Sequence, residues 1–145
     1  MKDRSKIKEW IARFFIATVL VWNLMCALEF ILRPALYVGS YELACEVGRA
    51  VIIGFGILFL MWQVPYFFAL INPVKFKTSL FQAILMQAIG AIGESWLLGT
   101  LSPERAVLRR SMTRFVIFDG AGLVLLLLAA ILTGFSLRSF HKEEV

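Results

Sequence analysis

Four runs of mostly apolar residues, at about 14–32, 50–71, 79–101 and 115–137, constrain this chain more than any other feature. Each is close to the roughly 20 residues that an α-helix needs to cross the hydrocarbon of a bilayer. Lipid offers no partner to a backbone amide, and no strand-like alternation is visible, so each run has to be helical. Composition agrees. Apolar residues make up 60% of the chain and charged ones 17%, where soluble domains run at about 45–50% and about 25%. Disorder, collagen and a disulfide-stapled secreted module are excluded on the same ground. At 145 residues the chain makes one domain. The expectation is an all-α integral membrane protein, a four-transmembrane-helix bundle in which residues 1–145 form a single membrane domain.

The punctuation between the runs is that of helices. Pro34 and Pro73 stop the first two, and Thr78 or Ser79 can cap the third. Ser102-Pro103-Glu104 reads as a capped start with proline at the first helical position. The basic stretch 103–113 that it opens is either an interfacial helix or an extension of the fourth span. Tyr37 to Gly48 reads as a helical lead into the second span. The basic start (Lys2, Arg4, Lys6, Lys8, Arg13) would fit a signal peptide. The apolar run is longer than an h-region of about 7–15 residues, however, and no A-x-A site follows. Asn23-Leu24-Met25 also lacks the small residues of a lipoprotein site before Cys26, so the first helix reads as uncleaved.

Lys and Arg divide unevenly between the two sides. The N-terminal segment, the second loop (Lys75, Lys77) and the tail (Arg138, Lys142) carry nine; the first loop (Arg33, Arg49) and the third (Arg105, Arg109, Arg110, Arg114) carry six. The richer side is cytoplasmic by the positive-inside rule. Both termini are therefore expected in the cytoplasm, with the chain in a bacterial inner (cytoplasmic) membrane. The net charge of +5 then anchors the chain to anionic headgroups and is no nucleic-acid footprint.

Three carboxylates, Glu29, Glu94 and Asp119, fall within the spans, where ionisable groups are costly and default to function. In this topology all three lie in the outer third of the bilayer, and Arg49 and Arg114 mark the same level. Five charges at one depth predict a polar chamber that binds a ligand or handles protons. The competing reading is structural: ion pairs of Glu29 with Arg49 and of Asp119 with Arg114. Acids left unpaired there could exchange protons near neutral pH. Helical phase supports an inward polar face. Trp22, Cys26 and Glu29 share a stripe, as do Gln87, Gly90 or Ala91, and Glu94; so do Arg49, Gly56 and Gln63, and Asp119, Gly122 and Leu126.

The segment Met61-Trp62-Gln63-Val64-Pro65-Tyr66-Phe67-Phe68 should kink at Pro65, which frees the carbonyl of Met61 and leaves Gln63 to satisfy freed backbone groups. Such a segment can line a pocket for a flat apolar ligand such as a quinone, although bundle packing and an interfacial aromatic belt explain it more simply. Trp22, Cys26, Gln63, Tyr66 and Gln87 are the pocket-lining candidates. Cys26 and Cys45 could pair only with their Cα atoms within about 7 Å, and no C-x-x-C exists. His141, the one histidine, lies in the terminal tail, so no metal site is expected. No nucleophile elbow, P-loop or zinc motif is present, and no catalytic residue is assigned.

Gly48-Arg49-Ala50 leads into a glycine-bearing second helix (Gly54, Gly56), and the fourth opens on Arg114-Phe115-Val116-Ile117-Phe118-Asp119-Gly120-Ala121-Gly122-Leu123. With the charged N-terminal start, these segments resemble the DoxX-like superfamily of small bacterial four-helix membrane proteins, over roughly residues 12–135. Met61 to Pro73 and Met86 to Ser95 mark a subgroup of their own. The resemblance implies membrane subunits linked to quinone-dependent sulfur oxidation, or partners of redox and detoxifying enzymes, and carries over no catalytic position. The expected function is a non-catalytic accessory or small-ligand-binding membrane subunit. One alternative is a quinone-linked redox subunit in which the acids relay protons and Trp22, Trp62 and Tyr66 contact the ring. The other is an oligomeric small transporter or channel component. The partners are then the lipid bilayer, a membrane or soluble redox protein, or further copies of the chain, and not nucleic acid.

Overall fold

The computed structural model describes residues 2–134, so the tail with Arg138, His141 and Lys142 lies outside the described residues. Within them the chain forms α1 (Lys2–Leu32), α2 (Ala35–Val38), a single 3-10 turn (Gly39–Tyr41), α3 (Cys45–Ile71), α4 (Lys77–Thr100) and α5 (Ala106–Leu132). Four segments are long and apolar enough to cross a membrane: Ser5–Leu32 and the whole of α3, α4 and α5. They pack as an antiparallel bundle, with α1 against α3 and α5 and α4 closing the ring between α3 and α5. The chain is a multi-pass, all-α membrane protein.

The helices outlast the apolar runs. At about 1.5 Å per residue α1 is about 46 Å long and α5 about 40 Å, against about 30 Å of hydrocarbon. The basic stretch before Phe115 is therefore an extension of the fourth span and not a separate interfacial helix. No breaker lies between Ala106 and Phe115, and Arg109 in this extension has a job. Its Nη1 donates to the carbonyls of Leu98 and Leu101, at 3.1 and 2.7 Å, closing the last turn of α4.

Several helix ends depart from the expected punctuation. Ser102-Pro103-Glu104 forms a turn, closed by Arg105 N–H on the Ser102 carbonyl at 3.1 Å, and α5 starts only after it. Neither Thr78 nor Ser79 caps α4; Phe76 holds that position without a side-chain bond. The preceding turn is built by Asn72, whose Oδ1 accepts from Val74 N and Lys75 N at 3.1 and 2.8 Å. Tyr37 to Gly48 is not one helical lead, because Glu42 adopts a left-handed conformation (φ 54°) that breaks the path before α3 begins at Cys45. Helix α3 runs unbroken through Pro65, and Gln63 Nε2 donates to the Phe59 carbonyl at 2.7 Å, not to that of Met61.

Glu42 earns its strained backbone by strapping the α1–α3 connection onto α5. Its Oε2 accepts from Arg105 Nη1 at 2.7 Å and its Oε1 from Leu108 N at 3.4 Å, in the first turn of α5 where a carboxylate suits the helix dipole. The Arg105 guanidinium holds the Glu42 carboxyl below its ordinary range. Ser111 Oγ adds a bond to the Ser40 carbonyl at 2.7 Å.

Burial is inverted relative to a soluble protein. Ile131 (73%), Trp96 (72%) and Ile92 (70%) are exposed, while Asn23, Gln63, Gln87 and Asp119 are buried. In lipid this is the stable arrangement, since apolar groups gain nothing by burial and polar ones must find each other inside. The interior has two unlike halves. Toward the N-terminal end of α1, small and aliphatic residues pack closely: Ala12, Ile16 and Val19 with Ala69, Leu80, Ala83, Leu126 and Ala129. The opposite half is aromatic and centres on Phe30, whose ring lies 4.7 Å from Tyr37, 6.0 Å from Phe115 and 6.2 Å from Phe59.

Helices α1 and α3 touch closely at Gly56. A Cβ there would meet Ile31 Cγ1 at 2.7 Å and the Ala27 carbonyl oxygen at 2.8 Å, whereas one at Gly54 meets nothing within 4 Å. Gly56→Leu should therefore destabilise the bundle by about 1–3 kcal/mol. Gly54→Ala should leave it unchanged or slightly stabilised. Unfolding in mixed detergent micelles checks both, and equal effects would remove the case for this contact.

Candidate functional site

The polar interior begins with two side chains on facing helices. Gln87 of α4 donates through Nε2 to Asp119 Oδ1 of α5 at 2.9 Å. Tyr66 of α3 donates to Gln87 Oε1 at 2.6 Å, with the Ala83 carbonyl 3.2 Å from the same hydroxyl. One line of hydrogen bonds thus ties three helices. Glycines make room for it in a reciprocal way. A Cβ on Gly90, one turn from Gln87, would collide with Asp119 Oδ2; one on Gly122, one turn from Asp119, would lie 2.7 Å from Gln87 Nε2. Each polar side chain therefore lies over a glycine of the other helix. Asn23 and Gln63 flank the line in a cavity of about 10 Å³, space for no more than one water.

Beyond Asp119 the bundle opens. Phe55, Leu58, Phe59 and Trp62 of α3 face Ile89, Gly90, Gly93 and Glu94 of α4 across a groove of about 310 Å³, with Asp119 on its inner wall. Most of these residues are exposed on the outer, lipid-facing surface. Glu94 Oε2 is sealed from solvent without a hydrogen-bond partner. Among the described residues no Lys or Arg lines the groove. A second cavity, of about 210 Å³, lies between α1, the 37–41 segment and α5, walled by Phe30, Tyr37, Tyr41, Phe115 and Phe118 with Cys26 and Arg114 at its edge.

Of the five charged residues expected in one chamber, the structure brings together Glu94 and Asp119. Glu29 is half-exposed and pairs with Arg33 one turn on, at 3.3 Å, not with Arg49. Arg49 and Arg114 are exposed and, among the described residues, make no ion pair. The Asp119–Arg114 pair is replaced by the Gln87 bond. The reason is helical phase: five residues apart on one continuous helix, Arg114 and Asp119 point about 140° apart, so Asp119 turns inward while Arg114 stays on the exposed face. Gln63 and Gln87, set inward by their phase, line one cavity together with Tyr66, whereas Trp22 and Cys26 lie elsewhere on α1. Of the three rings expected around a quinone, Trp62 and Tyr66 line the small cavity beside Gln87, whereas Trp22 lines the groove between α1 and α5. Both cysteines are free thiols. Sequence reasoning passed over Asn23, although an uncharged polar residue in mid-span was the available signal.

Among the described residues no cluster could hold a metal ion. Comparisons with family models, with curated proteins and with solved structures find no match to this chain.

The hydrogen-bond line ranks its members. Gln87→Leu strips Asp119 of its donor and should cost about 1–3 kcal/mol. Tyr66→Phe removes one interhelical bond, worth about 0.6 kcal/mol on average within membranes. Reversal of that order in detergent unfolding would show that Gln87 is not the link.

Proposed function

We propose that this chain is a non-catalytic, small-ligand-binding membrane subunit of the DoxX-like kind, and that its site is the α3–α4 groove ending on Glu94 and Asp119. One observation carries the reading: among the described residues, two carboxylates share a groove without a cation, and Glu94 Oε2 is buried with no donor. A buried carboxylate oxygen in that position is stabilised by a proton or by a positively charged group, and the groove has room for the latter. Its walls supply the rest of the recognition. The faces of Phe55, Phe59 and Trp62 attract a cation by their quadrupoles and cover an apolar body. The groove lies on the outer surface of the bundle, so the ligand arrives from the bilayer. The class that fits is an amphiphilic organic cation.

Tetraphenylphosphonium is a suitable probe. It should quench Trp62 fluorescence saturably in the purified protein, and Glu94→Gln should weaken binding about tenfold or more, the scale of one charged contact. Unchanged affinity in Glu94→Gln, or no saturable binding to the parent protein, would falsify the assignment.

The uneven Lys and Arg distribution supports cytoplasmic termini, and Cys45 offers a direct test. Its thiol is exposed at the start of α3, on the side of the membrane opposite the N-terminus. A membrane-impermeant maleimide should label Cys45 in intact spheroplasts. Labelling only after the membrane is permeabilised would invert the topology.

A further inference from the structure

Four arginines stand at the entry of α5, and the structure separates them into two kinds. Arg105 is held by Glu42 and Arg109 by the carbonyls that end α4. Arg110 and Arg114 are exposed and, among the described residues, have no hydrogen bond, ion pair or ring contact. They are one helical turn apart, a spacing at which like charges repel unless an anion lies between them. The same stripe of α5 continues through Ile117 and Ala121. With Trp22 and Phe118, whose rings are 6.1 Å apart, Arg114 and these two residues line an open apolar groove of about 400 Å³ between α1 and α5.

Depth matches a lipid. Phe115, next to Arg114, packs on Phe30 in the last turn of α1. Arg114 therefore stands where the hydrocarbon meets the headgroups, and Arg110 stands one turn farther out. We infer that Arg110 and Arg114 bind the phosphate of an anionic membrane phospholipid, with one acyl chain lying along Trp22, Ile117 and Ala121. The site is separate from the α3–α4 groove, carries the opposite charge, and is independent of the function proposed for that groove. Two adjacent guanidiniums supply the donors that phosphate oxygens accept, and the groove beneath them takes a chain that a free anion lacks.

The test uses the full chain with Trp22 as its one tryptophan, Trp10, Trp62 and Trp96 being replaced by Phe, reconstituted into phosphatidylcholine nanodiscs. Phosphatidylglycerol with brominated acyl chains should quench Trp22 at about tenfold lower mole fraction than the matching brominated phosphatidylcholine. That preference should disappear in R110Q/R114Q and survive in R110K/R114K, which keeps the charges. Equal quenching by the two lipids overturns the proposal, as does a preference that persists in R110Q/R114Q. So does its abolition by millimolar inorganic phosphate, which would make the arginines a site for free anions. Since both arginines are exposed, their variants keep the fold, which circular dichroism verifies on the same samples.

Discussion

The hydrogen bond from Gln87 to Asp119 is the interaction on which the interior is arranged. A carboxylate in the middle of a membrane helix needs a donor, and in lipid that donor has to come from another helix. Asp119 meets this need by drawing α4 and α5 close, which is possible only because Gly90 and Gly122 leave space for the two side chains. Tyr66 extends the line to α3. Close packing of alanines and aliphatic residues continues on one side of it, while the other side is held apart by large rings.

That division places both open grooves in the aromatic half. Rings spaced near 6 Å fill volume without interdigitating as tightly as Ala12, Ala69, Ala83 and Ala129 do. The gap between α3 and α4 ends on Glu94 and Asp119, and the gap between α1 and α5 lies beneath Arg114. One small bundle therefore presents an acidic cleft and a basic one, on different seams. The straps from Glu42 and Ser111 hold the end of the molecule where these gaps occur.

Much of the architecture was legible from the chain. Run length and the lipid constraint yield four helices, and Pro34 and Pro73 end two of them where expected. The local ends were less legible because side chains chose other partners. Ser102 supports a turn, Asn72 builds the turn before α4 while neither Thr78 nor Ser79 caps that helix, and Gln63 bonds to Phe59. For the candidate site, helical phase set Gln63 and Gln87 toward the interior, where both are buried. It failed for Glu29, whose partner was the neighbouring Arg33, four residues on and just past the end of α1.

Membrane residence, helical class and the number of spans follow from composition and segment length, because lipid leaves a backbone no alternative to helix. Which polar residues meet depended on rotation and register, quantities that an apolar run does not encode. Helical phase sets Asp119 inward and Arg114 outward on α5, and two glycines make the room in which Asp119 meets Gln87. The grooves likewise exist only in three dimensions. Their charges are visible in the chain, but the pairing of Arg105 and Arg109, and the lack of partners for Arg110 and Arg114 among the described residues, come from packing alone.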